Sequence, residues 1–102
     1  MTENSKRIID IISSIPRGKV MTYGQVAAYA GDPRGARQVV RALHVYSEKF
    51  NLPWHRVINS KGLIAIKSPE GFLMQKHLLE EEGIEISDTG KIDLKIYLHS
   101  GL

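Results

Sequence analysis

The segment MTYGQVAAYAGDPRGARQVVRALHVYSEK, residues 21–49, restricts the fold more than any other stretch of the chain. Thr22 is placed as an N-cap, Val26, Ala27 and Ala30 give an apolar face at helical spacing, and Gly31 closes the element. DPRG then reads as a turn. From Ala36 a longer helix follows, with Val39, Val40, Leu43 and Tyr46 as its apolar face. Two helices joined by a turn containing Gly and Pro predict a helix-turn-helix, a pattern that structural helical pairs also use.

The flanking segments fit one small domain around that pair. Ile8, Ile9, Ile11, Ile12 and Ile15 predict a first helix from about Ser5 to Ile15, stopped by Pro16 and Gly18. After Pro53 the pattern changes to period two, and HRVINSKGLIAI predicts a β-hairpin turning at NSKG. SPEGFLMQKHLLEEEG restores helical spacing, with Phe72, Leu73, Leu78 and Leu79 inward and Gly83 at the end; KIDLKIYLHSGL reads as a strand or a short helix. The expected fold is mainly α with a small β-hairpin, a winged helix-turn-helix-like DNA-binding domain spanning residues 1–102 as a single unit. At 102 residues there is material for one core and too little for two.

Charge is segregated, and the net value of +3 hides it. Arg34, Arg37 and Arg41 fall close together, while Glu80, Glu81, Glu82 and Glu85 occupy another region. The chain has no cysteine, which excludes disulfides, thiolate metal sites and a cysteine nucleophile at once and fits a reducing compartment. No apolar run is long enough to span a bilayer and the N-terminal residues lack signal-peptide organisation, so a cytoplasmic protein without membrane attachment is expected.

Arg37 and Arg41 are one helical turn apart and can share a face, with Arg34 in the preceding turn. Such a cluster binds phosphates through charge and counterion release, and arginine also stacks on bases and makes forked hydrogen bonds. The plainer reading is a solvated helix face; the small pair Gly35-Ala36 favours DNA, since it lets a helix approach a groove closely. By residue type alone, Tyr23 is a core ring with its hydroxyl in water, Trp54 is core, and His55 is structural, with a hydrogen bond to Glu82 as the alternative. His44, His77 and His99 show no metal-ligand spacing, no serine sits in a nucleophile elbow, and no phosphate-binding glycine loop is present. No metal and no cofactor are expected.

Four ordered motifs carry a resemblance. PRGKVMTYGQVA, GARQVVRAL, PWHRVINSKG and LLEEEGI occur in the order and spacing of the DNA-binding domain of alkylguanine-DNA alkyltransferases, over about Arg7 to Ile86. That family has Pro-Cys-His-Arg-Val at its active site; here the residues are Pro53, Trp54, His55, Arg56 and Val57. The chain therefore resembles the alkyltransferase-like proteins, in which the acceptor cysteine is replaced, commonly by tryptophan. It departs from the alkyltransferases at Val40, where glycine is usual, and at Tyr46, where asparagine is typical.

The resemblance implies a protein that binds double-stranded DNA containing O6-alkylguanine and flips the lesion, but is not an enzyme, because an indole N–H donates and has no nucleophile to offer. It implies a DNA-binding set of Thr22, Tyr23, Arg34, Gly35, Ala36, Arg37, Gln38 and Arg41, with the recognition helix that carries Ala36 entering the minor groove and Arg37 as the finger that takes the extruded nucleotide's place. The lesion pocket is implied to comprise Tyr23, Trp54 as a wall, Val57 offering its N–H to the lesion O6, and Ser68 at the rim. His55 and Glu82 match the relay that activates the thiolate, left here with a structural role. It further implies a monomer that hands the site to nucleotide excision repair proteins. A winged-helix transcription regulator, and an enzyme acting through His55 or Glu82, are the alternatives.

Overall fold

A computed structural model describes residues 1–100. The elements in order are α1 (Glu3–Ser13), β1 (Met21–Thr22), α2 (Tyr23–Tyr29), α3 (Ala36–Phe50), a 3-10 turn (Trp54–Arg56), β2 (Val57–Ile58), α4 (Pro69–Glu81) and α5 (Leu94–Tyr97). α1 starts two residues before Ser5 because the Thr2 side chain caps it, accepting from the Ser5 N–H. Thr22 caps α2 through a reciprocal capping box with Gln25. Between α2 and α3, Asp32 closes the turn: its backbone carbonyl accepts from Gly35 N at 2.9 Å and its carboxylate from Arg34 N at 3.1 Å. A Cβ at position 35 would lie 3.0–3.1 Å from Asp32, so a glycine belongs at this entry to α3.

The β structure is not the expected hairpin. β2 pairs in parallel with β1, Met21 opposite Val57 and Thr22 opposite Ile58, with both helices of the helix-turn-helix in the crossover. The NSKG turn does form, with Gly62 N donating to Asn59 O at 3.0 Å. Beyond it the chain pairs with the C-terminal segment instead of folding back on β2: Leu63 bridges Lys91, and Ile92 N donates to Gly62 O at 2.8 Å. Gly62 has φ +79°, and a Cβ there would lie 2.7 Å from the Ile92 carbonyl oxygen.

The parallel pair divides two cores. Side chains alternate along a strand, so Met21 and Val57 face the cluster of α1, α2 and α3, whereas Val20 and Ile58 face a second cluster with Ile64, Leu79, Ile84 and Ile92. The C-terminal stretch supplies both predicted alternatives: α5 is a single helical turn, and Leu98 then bridges Val20 in parallel. Two of the stretch's residues, 101–102, lie outside the described residues. On α4, Leu79 is buried and Phe72 packs on the second core, but Leu73 is 63% exposed, contrary to expectation. Gln75 is buried in its place at 2% exposure, because its amide finds backbone partners there.

Candidate functional site

α3 presents two kinds of residue. Arg37, Gln38 and Arg41 are exposed, as is Arg34 in the turn, while Gly35 is buried and Ala36 and Thr22 are half-buried. None of the three arginines forms an ion pair among the described residues. Val40, Leu43, His44 and Ser47 lie on the face beside them and form one wall of a cavity of about 360 Å³. Positions 37, 40, 44 and 47 step by three or four residues, so Arg37 extends the cavity stripe toward the start of α3.

The remaining walls come from four different segments. Tyr23 enters from the first residue of α2, Trp54 from the 3-10 turn, Val57 from β2 and Gln75 from α4, with Ile66 from the loop before α4. Trp54 is half-buried, its ring at 83° to that of His55 with centroids 6.1 Å apart. The Tyr23 hydroxyl makes no hydrogen bond among the described residues, and burial pushes its pKa up from the usual tyrosine value, so it is a neutral donor and acceptor. A volume of this size lies at the low end of the roughly 300–1,000 Å³ typical of small-ligand sites, enough for one flat, mostly apolar group.

Two expected features of the cavity differ. Ser68 is not among its lining residues; it caps α4, accepting from Gly71 N at 3.1 Å, and Ile66 takes the wall instead. Val57 does line the cavity, but its N–H donates to the Trp54 carbonyl, the i to i+3 bond of the 3-10 turn, and so is already used.

Next to Trp54 in the chain, His55 and Arg56 meet Glu82 in a polar cluster. His55 Nε2 is 2.6 Å from Glu82 Oε2. Arg56 donates to the same carboxylate, from Nε at 3.0 Å to either oxygen and from Nη2 at 2.8 Å to Oε2, and from Nη1 to Ile15 O at 2.8 Å. Gly18 N completes the carboxylate's shell at 2.7 Å. Burial alone would push the Glu82 pKa up, but the bonds from Arg56, Gly18 and His55 together outweigh it and bring it to about 2. Residue types suggested the His55–Glu82 contact, but not that Arg56 shares the carboxylate and ties the end of α1 to the C-terminus of α4. No local pattern signals it. Gln75 did leave a signal, as the polar member of the buried stripe Phe72, Gln75, Leu79.

Among the described residues no group of His, Asp and Glu could hold a metal ion, and no helix is long and apolar enough to cross a membrane. Exposed arginines on a two-helix unit that also walls an aromatic-lined cavity define a small domain of the nucleic-acid-binding class. The family model described as 6-O-methylguanine DNA methyltransferase, DNA binding domain, matches residues 3–84, and the chain belongs to that family. A protein of Vibrio parahaemolyticus described as a DNA base-flipping protein is 50% identical over 91 residues, 89% of this chain and 90% of its own length. Alkyltransferase-like protein 1 of Schizosaccharomyces pombe is 43% identical over 99 residues, 96% of this chain and 92% of its own. A crystal structure of S. pombe Atl1 in complex with damaged DNA containing O6-carboxymethylguanine superposes with a TM-score of 0.88 at 42% identity, covering 99% of this chain and 98% of that one.

Proposed function

We propose that this protein is a non-enzymatic sensor of O6-alkylguanine, which binds damaged duplex DNA, draws the lesion out of the stack into the cavity and holds it without transferring the alkyl group. The observation that carries this reading is a cavity walled by Tyr23 and Trp54 in a chain that has no cysteine. A transferase of this family needs a thiolate at the position its motif gives to Trp54, and indole supplies only an N–H donor. A transcription regulator, the other binding reading, has no use for a base-sized cavity beside its recognition helix. Flipping costs a few kcal/mol, less for a poorly paired base, and that difference supplies part of the selectivity.

In this reading Arg37 fills the gap left in the stack, Tyr23 steers the extruded nucleotide, and Arg34, Gln38 and Arg41, with the close approach allowed at Gly35 and Ala36, hold the backbone. His55 and Glu82, clamped by Arg56, serve the fold. The protein acts as a cytoplasmic monomer and passes the marked site to nucleotide excision repair proteins. The test is incubation with an O6-methylguanine duplex, followed by mass spectrometry of the protein and a competition assay. Reversible binding that prefers the lesion, with an unchanged protein mass, is expected; a stoichiometric methyl adduct, or equal affinity for undamaged duplex, refutes the proposal.

A further inference from the structure

The side chain of Gln25 holds two parts of the molecule together. Within α2 it completes the capping box: its Oε1 accepts from Thr22 N at 3.3 Å, while Thr22 Oγ1 accepts from Gln25 N at 3.0 Å. That leaves Nε2 pointing outward from the cap, and it donates to the carbonyl oxygen of His99. The same carbonyl ends a strap along the strand that leads into α2. Val20 N donates to Tyr97 O at 2.9 Å, His99 N donates to Val20 O at 2.8 Å, and Lys19 Nζ donates to Ile96 O at 3.0 Å. A capping box is made with Glu or with Gln, since the cap itself needs only an acceptor at that position. The bond to His99 needs a donor, which an amide has and a carboxylate lacks.

We infer that Gln25 is a positioning residue for the lesion site: by tying the C-terminal strap to the first turn of α2, it sets where the Tyr23 hydroxyl meets the flipped nucleotide. The inference rests on the lesion-binding reading above. α2 has seven residues, too few to hold a helix on their own, and the first turn of any helix lacks intrahelical partners for its N–H groups. Such a turn stays in place only if something outside the helix anchors it. Tyr23 is the first residue of that turn, between the Thr22 and Gln25 that cap it, and it lines the cavity. Its ring packs against the first core, and the backbone of the turn aims the hydroxyl. Gln25 is not a lining residue, so it acts on the site through Tyr23.

The experiment measures, by fluorescence anisotropy with the whole protein, affinities for two duplexes of one sequence, carrying O6-methylguanine or unmodified guanine. Wild type, Gln25→Glu, Tyr23→Phe and the double variant are compared. Gln25→Glu keeps the capping box, and with it the fold, but loses the donor to His99. Its added negative charge weakens binding to both duplexes alike and cancels in the ratio of their affinities. That ratio should fall roughly 2- to 10-fold in Gln25→Glu and by a similar factor in Tyr23→Phe, the scale of one neutral hydrogen bond. The double variant should fall no further, because a hydroxyl already out of place has nothing more to lose. Urea unfolding of the same four proteins separates a structural role, which would lower stability and leave the ratio unmoved. An unchanged ratio in Gln25→Glu or in Tyr23→Phe, or losses that multiply in the double variant, overturns the inference. The lesion-binding reading fails separately, if the wild type binds the O6-methylguanine duplex no tighter than the unmodified one.

Discussion

The arginine face of α3 and the Glu82 cluster are both built from charged residues, yet the structure treats them in opposite ways. Arg34, Arg37 and Arg41 stand exposed with no ion-pair partner among the described residues. Glu82, 4% exposed, is held by three other residues, and Arg56 spends its donors on that carboxylate and on Ile15 O. Exposed cations that pair with nothing are free to meet a polyanion at little desolvation cost. Charges buried and mutually satisfied have no capacity left for a ligand, and removing one strands the others. The comparison predicts that one region can be changed at the expense of binding and the other only at the expense of the fold.

Glu82→Ala should therefore give the largest effect. It leaves the Arg56 guanidinium, 17% exposed, without its carboxylate and the Gly18 N–H without its acceptor. Breaking a buried pair from one side costs about 3–5 kcal/mol, most of the stability of a domain this small. Thermal or urea unfolding measures it. A loss below about 1 kcal/mol would show that the cluster is not a structural cross-link and would erase the contrast between the two regions.

The same carboxylate sets an acid limit. Its folded pKa, lowered from 4.5 to about 2, lies below the unfolded value. Its stabilisation is thus complete above about pH 4.5 and is lost as the pH falls toward 2, a contribution of up to about 3 kcal/mol. Urea unfolding between pH 2 and 6 should show a steeper loss in the wild type than in Glu82→Gln, which has no charge to lose. Parallel curves would place the acid response elsewhere.

These two regions were also unequally legible in the sequence. The arginine face is local: Thr22, the Asp32–Gly35 turn and the spacing of Arg37 and Arg41 all lie within one helix-turn-helix, where cap and turn chemistry act over a few residues. The cluster is assembled across the chain, with Arg56 reaching Ile15 and Glu82, and no short-range pattern encodes such a contact. The hairpin failed for a related reason. Asn59 and Gly62 make the turn they advertise, but period two in the residues on either side does not name a partner strand, and β2 finds β1 far upstream. Polarity misled on α4, where Leu73 was placed inward and Gln75 is buried, because a side-chain amide with two carbonyls to bind is stable inside. Of the pocket expected from family resemblance, Tyr23, Trp54 and Val57 meet on one cavity, while Ser68 lies outside its lining. Its distance from the cavity depends on the length of the loop before α4, which motif matching does not fix.

Within the arginine face a finer comparison follows. Arg37 stands at helical spacing from the stripe of Val40, His44 and Ser47 that lines the cavity, and Arg41 lies further round α3 from that stripe; neither arginine is itself a lining residue. Arg37→Ala should weaken binding to lesion-containing duplex by roughly 10- to 100-fold, with little change for undamaged DNA, since a side chain that fills a vacated stack acts only when a base has left it. Arg41→Ala should weaken both duplexes by a similar smaller factor and lower the salt dependence by about one counterion. Anisotropy titrations at several salt concentrations, with a fluorescent base beside the lesion to report flipping, separate the two. Equal losses for both duplexes in Arg37→Ala, with the flipping signal intact, would make the arginine face a plain phosphate clamp.

Tyr23 lies at the first turn of α2 and on the cavity wall, and the smallest expected effect comes from removing its hydroxyl alone. That hydroxyl has no partner among the described residues and stays protonated, since burial raises its pKa, so Tyr23→Phe loses nothing inside the free protein. Its unfolding temperature should match the wild type. If the hydroxyl bonds the flipped nucleotide, lesion affinity should drop by roughly 2- to 10-fold, the value of one neutral hydrogen bond. Tyr23→Ala removes the ring as well, and with it packing against the first core, so it should cost far more in affinity and some stability. Unfolding curves and lesion titrations on both variants distinguish the roles: equal affinity for Tyr23→Phe and wild type assigns the residue to packing alone, whereas equal losses in the two variants assign all of its work to the hydroxyl.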